Sequence, residues 1–450
     1  MNLKLMLKLV VIGVVGGVIL IALAMVNGTI SERQRYRDDA VTSIEASYSG
    51  PQTVIGPVLV RPYTETTVTT EENDKGVKRQ VTHVDQLSAI SFPHTLEVRG
   101  KMVPSERRHG LYRVSVYEFA ASITGKITVI QPQTKGTVEW GEPYLAMSVQ
   151  DVRGIVGTPK VLINGTPETM LQGAPALTGW QPNLRIPIRG GHEMDGSFPF
   201  AIEMNLAGTE QLSIAPVGDS NHVELVSSWP SPLFAGQFLP RTRTVGPEGF
   251  RAEWDVSSLA TGTQIQMQSA SGKSIDGMSV TLLTRIDPYK LSDRATKYGI
   301  LFIILTFTGF FFFEMMKQLP IHPIQYLLVG LCLAIFFLLL ISFSEHMAFA
   351  LAYTLASAAC IALLVFYLRY VLRSVSRSLG FGAMLTTLYA AMYGLLISED
   401  NAMILGSVML FAVLAAVMIV TRRVDWYRGE AAANQSTAIP PPPVAGDATR

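Results

Sequence analysis

Apolar residues are spread so unevenly along this chain that only a membrane architecture can accommodate them. One apolar run lies at the extreme N-terminus, from about Leu5 to Val26. A polar stretch of roughly 270 residues follows, and about five more apolar runs crowd between Gly299 and Val420. A run of about 18 or more apolar residues with few charges is long enough to cross a bilayer as a helix. Six spans are expected, at about 5–26, 299–316, 324–343, 348–368, 379–397 and 402–420. The layout is an N-terminal transmembrane anchor (1–28), a large extramembrane domain (29–295), a five-helix transmembrane bundle (296–421) and a terminal tail (422–450).

Composition agrees. Only 16% of the 450 residues are charged, against about 25% in soluble proteins. A net charge of +1 leaves no basic field to recruit nucleic acid. Both cysteines, Cys332 and Cys360, fall inside expected membrane helices. The large polar domain therefore has neither a disulfide framework nor a cysteine metal site.

Lys and Arg in short loops set orientation. One side carries Lys4, Lys8, Lys317, Arg369, Arg373, Arg377, Arg422, Arg423 and Arg428. The other shows only Ser344–Met347 (SEHM) and Ser398–Asn401 (SEDN), without Lys or Arg. Both termini are thus expected in the cytoplasm, with residues 27–295 outside it. Arg33, Arg35 and Arg37 dissent on the outer flank of the first span; large translocated domains weaken the charge rule, so the later loops decide. Ala22-Leu23-Ala24 looks like a signal-peptide cleavage site, but the apolar core from Leu9 exceeds the usual length of about 7–15 residues. The first run is read as an uncleaved anchor. Gly13 and Gly17 form a GxxxG pair that could pack another helix, although glycine is common in membrane helices anyway.

After the anchor, Ile30–Ser47 suits a short helix, stopped by Ser49-Gly50-Pro51. Beyond it the pattern turns to β. Phe198, Phe200, Ile202, Met204 and Leu206 alternate with Pro199, Ala201, Glu203 and Asn205, which places the first set on one strand face. Further strands are expected at Val54–Val60, Glu65–Thr70, Val77–Val84, Tyr112–Phe119, Ser122–Ile130, Tyr144–Val149, Leu184–Ile188, Glu210–Ile214, His222–Val226 and Met278–Ile286. Many short strands separated by turn signals suggest stacked antiparallel sheets, as one sandwich-like domain or two subdomains. The fold class is therefore α+β. The tail, with Pro440–Pro443, lacks apolar residues for a core and is expected to be disordered.

Chemistry is hard to find. None of the seven histidines pair at the helical spacing of a zinc site. There is no G-x-S-x-G elbow and no phosphate loop. No catalytic residue, cofactor or metal is nominated. Spans three to six carry no Asp, Glu, Lys, Arg or His at their centres, and Glu314 lies in the last turn of span two; ion-coupled transport loses its usual machinery. Three features stand out. Glu345-His346, in the tight outer turn, could titrate and couple bundle to domain, or simply be a polar turn at the headgroups. Arg294 and Lys297, where the chain re-enters the bilayer, could bind anionic lipid headgroups or merely snorkel. Trp229, Phe234 and Phe238, in the proline-rich Ser227–Pro240, could contact a partner or belong to a buried connection. That segment cannot be a central strand.

Several stretches carry more than pattern: Tyr36–Asp39, Ser49-Gly50-Pro51, Ile55-Gly56-Pro57, Asp151–Ile155 (DVRGI), Trp229–Pro240, Ser292–Gly299 (SDRATKYG), His322–Leu331 (HPIQYLLVGL), Ser344–His346 and Asp425–Tyr427 (DWY). Through them the chain resembles CreD, the inner-membrane "cell envelope integrity" family of Gram-negative bacteria. DRATKY followed by HPIQYLLVGL is specific in combination; stretches 64–85, 100–112 and the proline tail lie outside the resemblance. It implies a multi-pass inner-membrane protein with a periplasmic domain, linked to a two-component-controlled regulon, envelope stress, the β-lactam response and colicin tolerance. It brings no enzymatic reaction and no catalytic residues. The leading expectation is a non-enzymatic protein whose periplasmic domain binds an unknown periplasmic or membrane protein partner or ligand. A transporter or channel subunit, and a membrane-linked hydrolase, are the alternatives.

Overall fold

A computed structural model describes residues 3–72, 78–189, 196–269, 275, 277–283, 288–317, 322–372, 374–398 and 402–421. The tail, the DWY stretch, Val77, His192 and part of the SEDN turn fall outside them. The chain divides into two compact units: Met1–Tyr36 with Ile286–Arg450, and Arg37–Arg285.

Helix α1 (Leu3–Ser47) is continuous. The expected anchor and the expected short helix after it are one element, because nothing between Val26 and Ile30 breaks a helix: Gly28 stands alone and no proline intervenes. Among the described residues the C-terminal helices are α3 (Pro288–Lys317), α4 (Pro323–Ser344), α5 (Phe349–Val371), α6 (Val375–Ile397) and α7 (Ala402–Thr421). Four helical stretches, rather than the expected six, meet the length and hydropathy of a membrane span among the described residues: Val10–Ser47 and helices α4, α5 and α6. The HPIQ sequence explains the start of α4. His322 Nδ1 accepts from Ile324 N, Gln325 Oε1 accepts from His322 N at 3.1 Å, and Pro323 occupies the first turn, a reciprocal cap that satisfies orphan donors.

Buried aromatic rings interlock the bundle. Phe336 stands 4.7 Å from Tyr389 and 5.4 Å from Tyr353, and Phe310 lies 4.7 Å from Tyr326. Helix α1 packs through Ile19, Leu23, Val26 and Ile30, spaced as one helical stripe. A Cβ on Gly330 would stand 1.9 Å from Ile19, so that glycine seats α1 on α4. A Cβ on Gly13 or Gly17 would meet nothing within 4 Å, in keeping with glycines that are simply common in membrane helices.

The second unit holds seventeen strands among the described residues. They are β1 (Gln52–Glu72), β2 (Lys78–Ser91), β3 (Pro93–His109), β4 (Tyr112–Thr128), β5 (Thr137–Trp140), β6 (Tyr144–Val149), β7 (Ile155–Ile163), β8 (Thr166–Glu168), β9 (Leu171–Gln172), β10 (Leu184–Pro187), β11 (Ser197–Thr209), β12 (Gln211–Ile214), β13 (Ser220–Ser227), β14 (Pro232–Gly236), β15 (Thr242–Gly246), β16 (Gly249–Ser257) and β17 (Met278–Leu282); a short helix α2 (Thr263–Gln268) precedes the last. One sheet runs β14-β17-β12-β1-β6-β10-β9, with β2 and β5 also on β1; the other runs β15-β16-β13-β3-β4-β11-β7-β8. Both contribute to one apolar core, from Leu59 and Met147 in the first to Phe119, Ile202 and Trp254 in the second, so one sandwich forms rather than two subdomains. The sheets are not purely antiparallel, since β1 pairs β12 and β13 pairs β3 in parallel. The separately expected Glu65–Thr70 is the outer part of β1, and Tyr112–Phe119 with Ser122–Ile130 is one strand, β4. Cross-strand partners run through each supposed break, for example Ala121 opposite Gly100 and Met204.

Where α1 ends, Ser49-Gly50-Pro51 meets Asp151–Ile155. Arg153 donates from Nη1 to the Ala46 carbonyl at 2.6 Å and from Nη2 to the Glu45 carbonyl at 3.2 Å, capping the negative end of a helix that has no basic residue in its own last turn. Asp151 receives the same guanidinium at 2.6 and 2.9 Å and the Gly50 N–H at 3.1 Å. Gln52, 1% exposed, donates to the Asp151 and Ala207 carbonyls at 2.9 and 3.0 Å and accepts from Asp151 N at 3.1 Å. Ser49 donates to the Ala207 carbonyl, and Thr209 to the Ser49 carbonyl, each at 2.6 Å. A Cβ on Gly154 would come within 2.3 Å of both Ala207 O and Gln52 Nε2. These two stretches of resemblance form one buried polar joint.

Candidate functional site

The outward face of the second sheet carries a concavity of about 800 Å3. Its shape follows from strand alternation. On β4, Phe119, Ala121 and Ile123 point into the core, so Ala120 and Ser122 point out. On either side, β3 offers Arg99 and Lys101, β11 offers Glu203 and Asn205, β7 offers Val156, Thr158 and Lys160, and β13 offers Glu224 and Val226. Register fixes two rows across the sheet: Glu224–Arg99–Ser122–Glu203–Lys160, and Val226–Lys101–Ala120–Asn205–Val156. Small side chains over β4 make a floor, and long ones over β3, β11 and β7 make walls. Gly100 leaves space for the Phe119 ring beneath that floor.

Most of the charge in this trough is already matched. Arg251 reaches Glu224 at 2.8 Å and Glu253 at 3.1 Å; Arg99 reaches Glu97 at 2.5 Å; Lys160 lies 3.8 Å from Glu203. The Glu253 carboxyl is held below the usual carboxylate range, first by the Thr242 hydroxyl and then by Arg251. Lys101 is exposed and has no partner among the described residues. Such a surface can hold a ligand by charge and shape. No group of three or more His, Cys, Asp or Glu able to hold a metal exists among the described residues.

The residues singled out from sequence fall elsewhere. Glu345, with its side chain only 8% exposed, lies 3.6 Å from Arg33 and accepts from the Tyr289 hydroxyl at 3.3 Å. It thus ties α1 and α3 to the end of α4. Its neighbour His346 is exposed and bonds through its backbone N–H to Phe343. Lys297 pairs with Asp293 one turn back at 2.7 Å, and Arg294 is half-buried on the same helix. Trp229, Phe234 and Phe238 are partly buried and pack on the sandwich core. Phe234 sits on the edge strand β14, edge-on to Phe250 and Trp254 at 5.6 and 5.8 Å. The Trp229 indole donates to Leu283 O, and Phe238 O accepts from Trp254, each at 3.0 Å.

Similarity to known proteins then decides the family. The model of the inner membrane protein CreD family matches residues 4–427. Inner membrane protein CreD of Escherichia coli (strain K12) is 36% identical over 414 residues, 91% of each chain. The chain belongs to the CreD family. Among solved structures, an M1 zinc metallopeptidase from Deinococcus radiodurans is 12% identical with a TM-score of 0.22, each chain covered to 42%. Leukotriene A4 hydrolase from Saccharomyces cerevisiae is 9% identical with a TM-score of 0.23, over 48% of this chain and 35% of that one. Scores this low carry no argument.

The trough residues were not anticipated from sequence. Ser122 lay inside an expected strand, but β3 was missed because Gly100, Pro104 and a run of charges mask its alternation. Leu96, Val98 and Met102 on one face, with Arg99 and Lys101 on the other, were the available signal.

Proposed function

We propose that this CreD-family chain is a non-enzymatic envelope-integrity protein of the inner membrane whose β domain binds a ligand or protein partner in the trough. The periplasm is assigned to residues of about 29–295 and the cytoplasm to both termini. The apolar helices α3 and α7 are taken as spans beside the other four, for six in total. Two of the cations that oppose this orientation are paired, Arg33 with Glu345 and Arg37 with Glu210 at 3.5 Å, which weakens their topological weight. Arg294 and Lys297 are assigned to lipid headgroups at the start of α3. Envelope stress, β-lactam response and colicin tolerance form the setting that the family resemblance supplies.

The observation that carries the reading is the trough itself: a wide polar concavity on a sheet face, with the Lys101 cation of its β3 wall unmatched among the described residues. Binding sites built on sheets hold their geometry better than sites on loops. The test is complementation. A deletion strain is expected to show altered envelope permeability or β-lactam sensitivity, restored by the native chain and not by Ala120→Trp, which fills the trough from an exposed position. Full restoration by Ala120→Trp at equal protein level would remove the trough from the function.

A further inference from the structure

We propose that two copies of this chain pair antiparallel along the open edge of β2, about a two-fold axis at Thr82, so that Arg79 of each copy meets Asp85 of the other. Three observations carry it. The first is the edge. β1 and β2 run together as a long ribbon, with Leu59–Glu72 paired to Ser91–Lys78. Among the described residues β2 has no second neighbour. One side of its backbone therefore presents N–H and C=O groups without a ladder partner, which another strand can satisfy. Edge strands are ordinarily blunted by short length, proline or a bulge. β2 is 14 residues long with no proline, and its register with β1 runs without a shift. Every residue from Lys78 to Ser88 except Val81 is exposed, Val84 to 61% and Leu87 to 42%.

The second is charge. Arg79 and Asp85 are both exposed, and neither has a partner among the described residues. Asp85 stands opposite Glu65 of β1, and like charges facing each other across a sheet destabilise it. Glu65 in turn accepts from the N–H groups of Lys135 and Gly136, the latter at 2.8 Å, which fixes its place in the fold. A cation arriving at the open side of Asp85 offsets that repulsion.

The third is symmetry. When identical strands pair antiparallel, the residue on the axis meets its own copy and its flanks meet in reverse order. An axis at Thr82 sets Arg79 opposite Asp85 twice, Gln80 opposite Val84 and Val81 opposite His83. Thr82 meets Thr82, a favourable cross-strand pair. Arg79 and Asp85 are an even number of residues apart, so both project from the same face. The patch is thus self-complementary, as an isologous two-fold contact requires. Moving the axis to Val81 or His83 parts the charges, since Arg79 then meets His83 or Leu87.

The test uses the full-length chain in its membrane. Thr82→Cys under mild oxidation is expected to give a disulfide-linked band at twice the chain mass, because directly opposed Cα atoms stand about 5 Å apart, within disulfide reach. Gln86→Cys, also exposed on β2, meets Lys78 in this register and should stay unlinked. The native Cys332 and Cys360 are buried and common to both variants, so they set the background. Added to Thr82→Cys, Arg79→Asp or Asp85→Arg should lower the linked yield by about tenfold. Both changes in one chain, or the two variants expressed together, should restore it, since opposite charges then meet again. No linking at Thr82, equal linking at Thr82 and Gln86, a linked band containing a different protein, or charge changes that have no effect or that the swap does not rescue would overturn the proposal.

Discussion

The joint at the end of α1 and the trough on the second sheet are built from the same residue types, yet the chain uses them in opposite ways. In the joint, Arg153, Asp151, Gln52, Ser49 and Thr209 spend their hydrogen-bonding capacity on one another and on nearby backbone groups. A buried polar network satisfied in this way rigidifies and specifies local structure. In the trough, Arg99, Lys160 and Glu203 stand in solvent, where ion pairs are worth little to stability, and Lys101 is left over. The difference teaches where to look for function: in polar groups whose capacity the fold has not consumed.

The comparison breaks first at Gly154. Its missing Cβ is what admits Gln52 and the Ala207 carbonyl. Gly154→Leu should cost about 3 kcal/mol or more, since overpacking is joined by lost buried hydrogen bonds. Thermal unfolding of the purified protein in detergent checks this. A melting temperature unchanged from the native chain would mean the joint is loose, and the contrast with the trough would disappear.

Arg153→Ala should follow with a smaller fall in melting temperature than Gly154→Leu. The side chain is 56% exposed, so solvent discounts its ion pair, but two helix-end carbonyls lose their donor. Arg153→Lys should recover less than half, because an ammonium cannot bridge both carbonyls and the carboxylate as the planar fork does. Full recovery by Lys would show that charge at the helix end, rather than geometry, holds the joint.

Much of the framework was legible beforehand. The apolar runs locate α4 to α7 within a few residues, and period-two alternation locates β11 closely, because burial on one side leaves its mark in the residues themselves. What stayed hidden depends on neighbours distant in sequence. β3 is obscured by Gly100, whose reason is Phe119 on the next strand. Phe250, Ala252 and Trp254 in β16 alternate, but nearby prolines and charges blur the signal. The joint was present as two separate short stretches, 49–51 and 151–155, and nothing local says that they touch. Trp229, Phe234 and Phe238 stand out in the sequence as aromatics in a proline-rich segment, and they pack on the core. The trough was least legible, since its floor consists of small residues with no chemistry of their own.

Acid sharpens the comparison further. The Asp151 carboxyl is held below its ordinary 3.8 by hydrogen bonds from Arg153 above all, with burial opposing and the Gly50 N–H assisting. A carboxyl whose folded pKa is depressed contributes stability that is complete above its unfolded value and lost as pH falls through the folded one. The native chain should therefore hold this contribution from neutrality down to about pH 5 and lose it below about pH 4. Asp151→Asn should be less stable at neutral pH and fall less steeply below about pH 4. Parallel acid limbs for the two proteins in circular dichroism would place the charge linkage elsewhere.

The smallest expected effect is the most informative. Lys101→Glu should leave unfolding within about 0.5 kcal/mol of the native chain, as surface substitutions without partners usually do. The side chain is exposed and touches no counter-ion among the described residues, so its removal breaks no contact within the fold. The new carboxylate stands opposite Ala120, one cross-strand row from Arg99 and one row from Glu224 on β13, exposed enough for solvent to screen both. A residue so nearly silent in stability can still matter to complementation, because its unmatched charge faces outward. If Lys101→Glu unfolded the domain as Gly154→Leu is expected to, the trough would be another structural network, and the separation between consumed and unconsumed polar groups would fail where it was drawn.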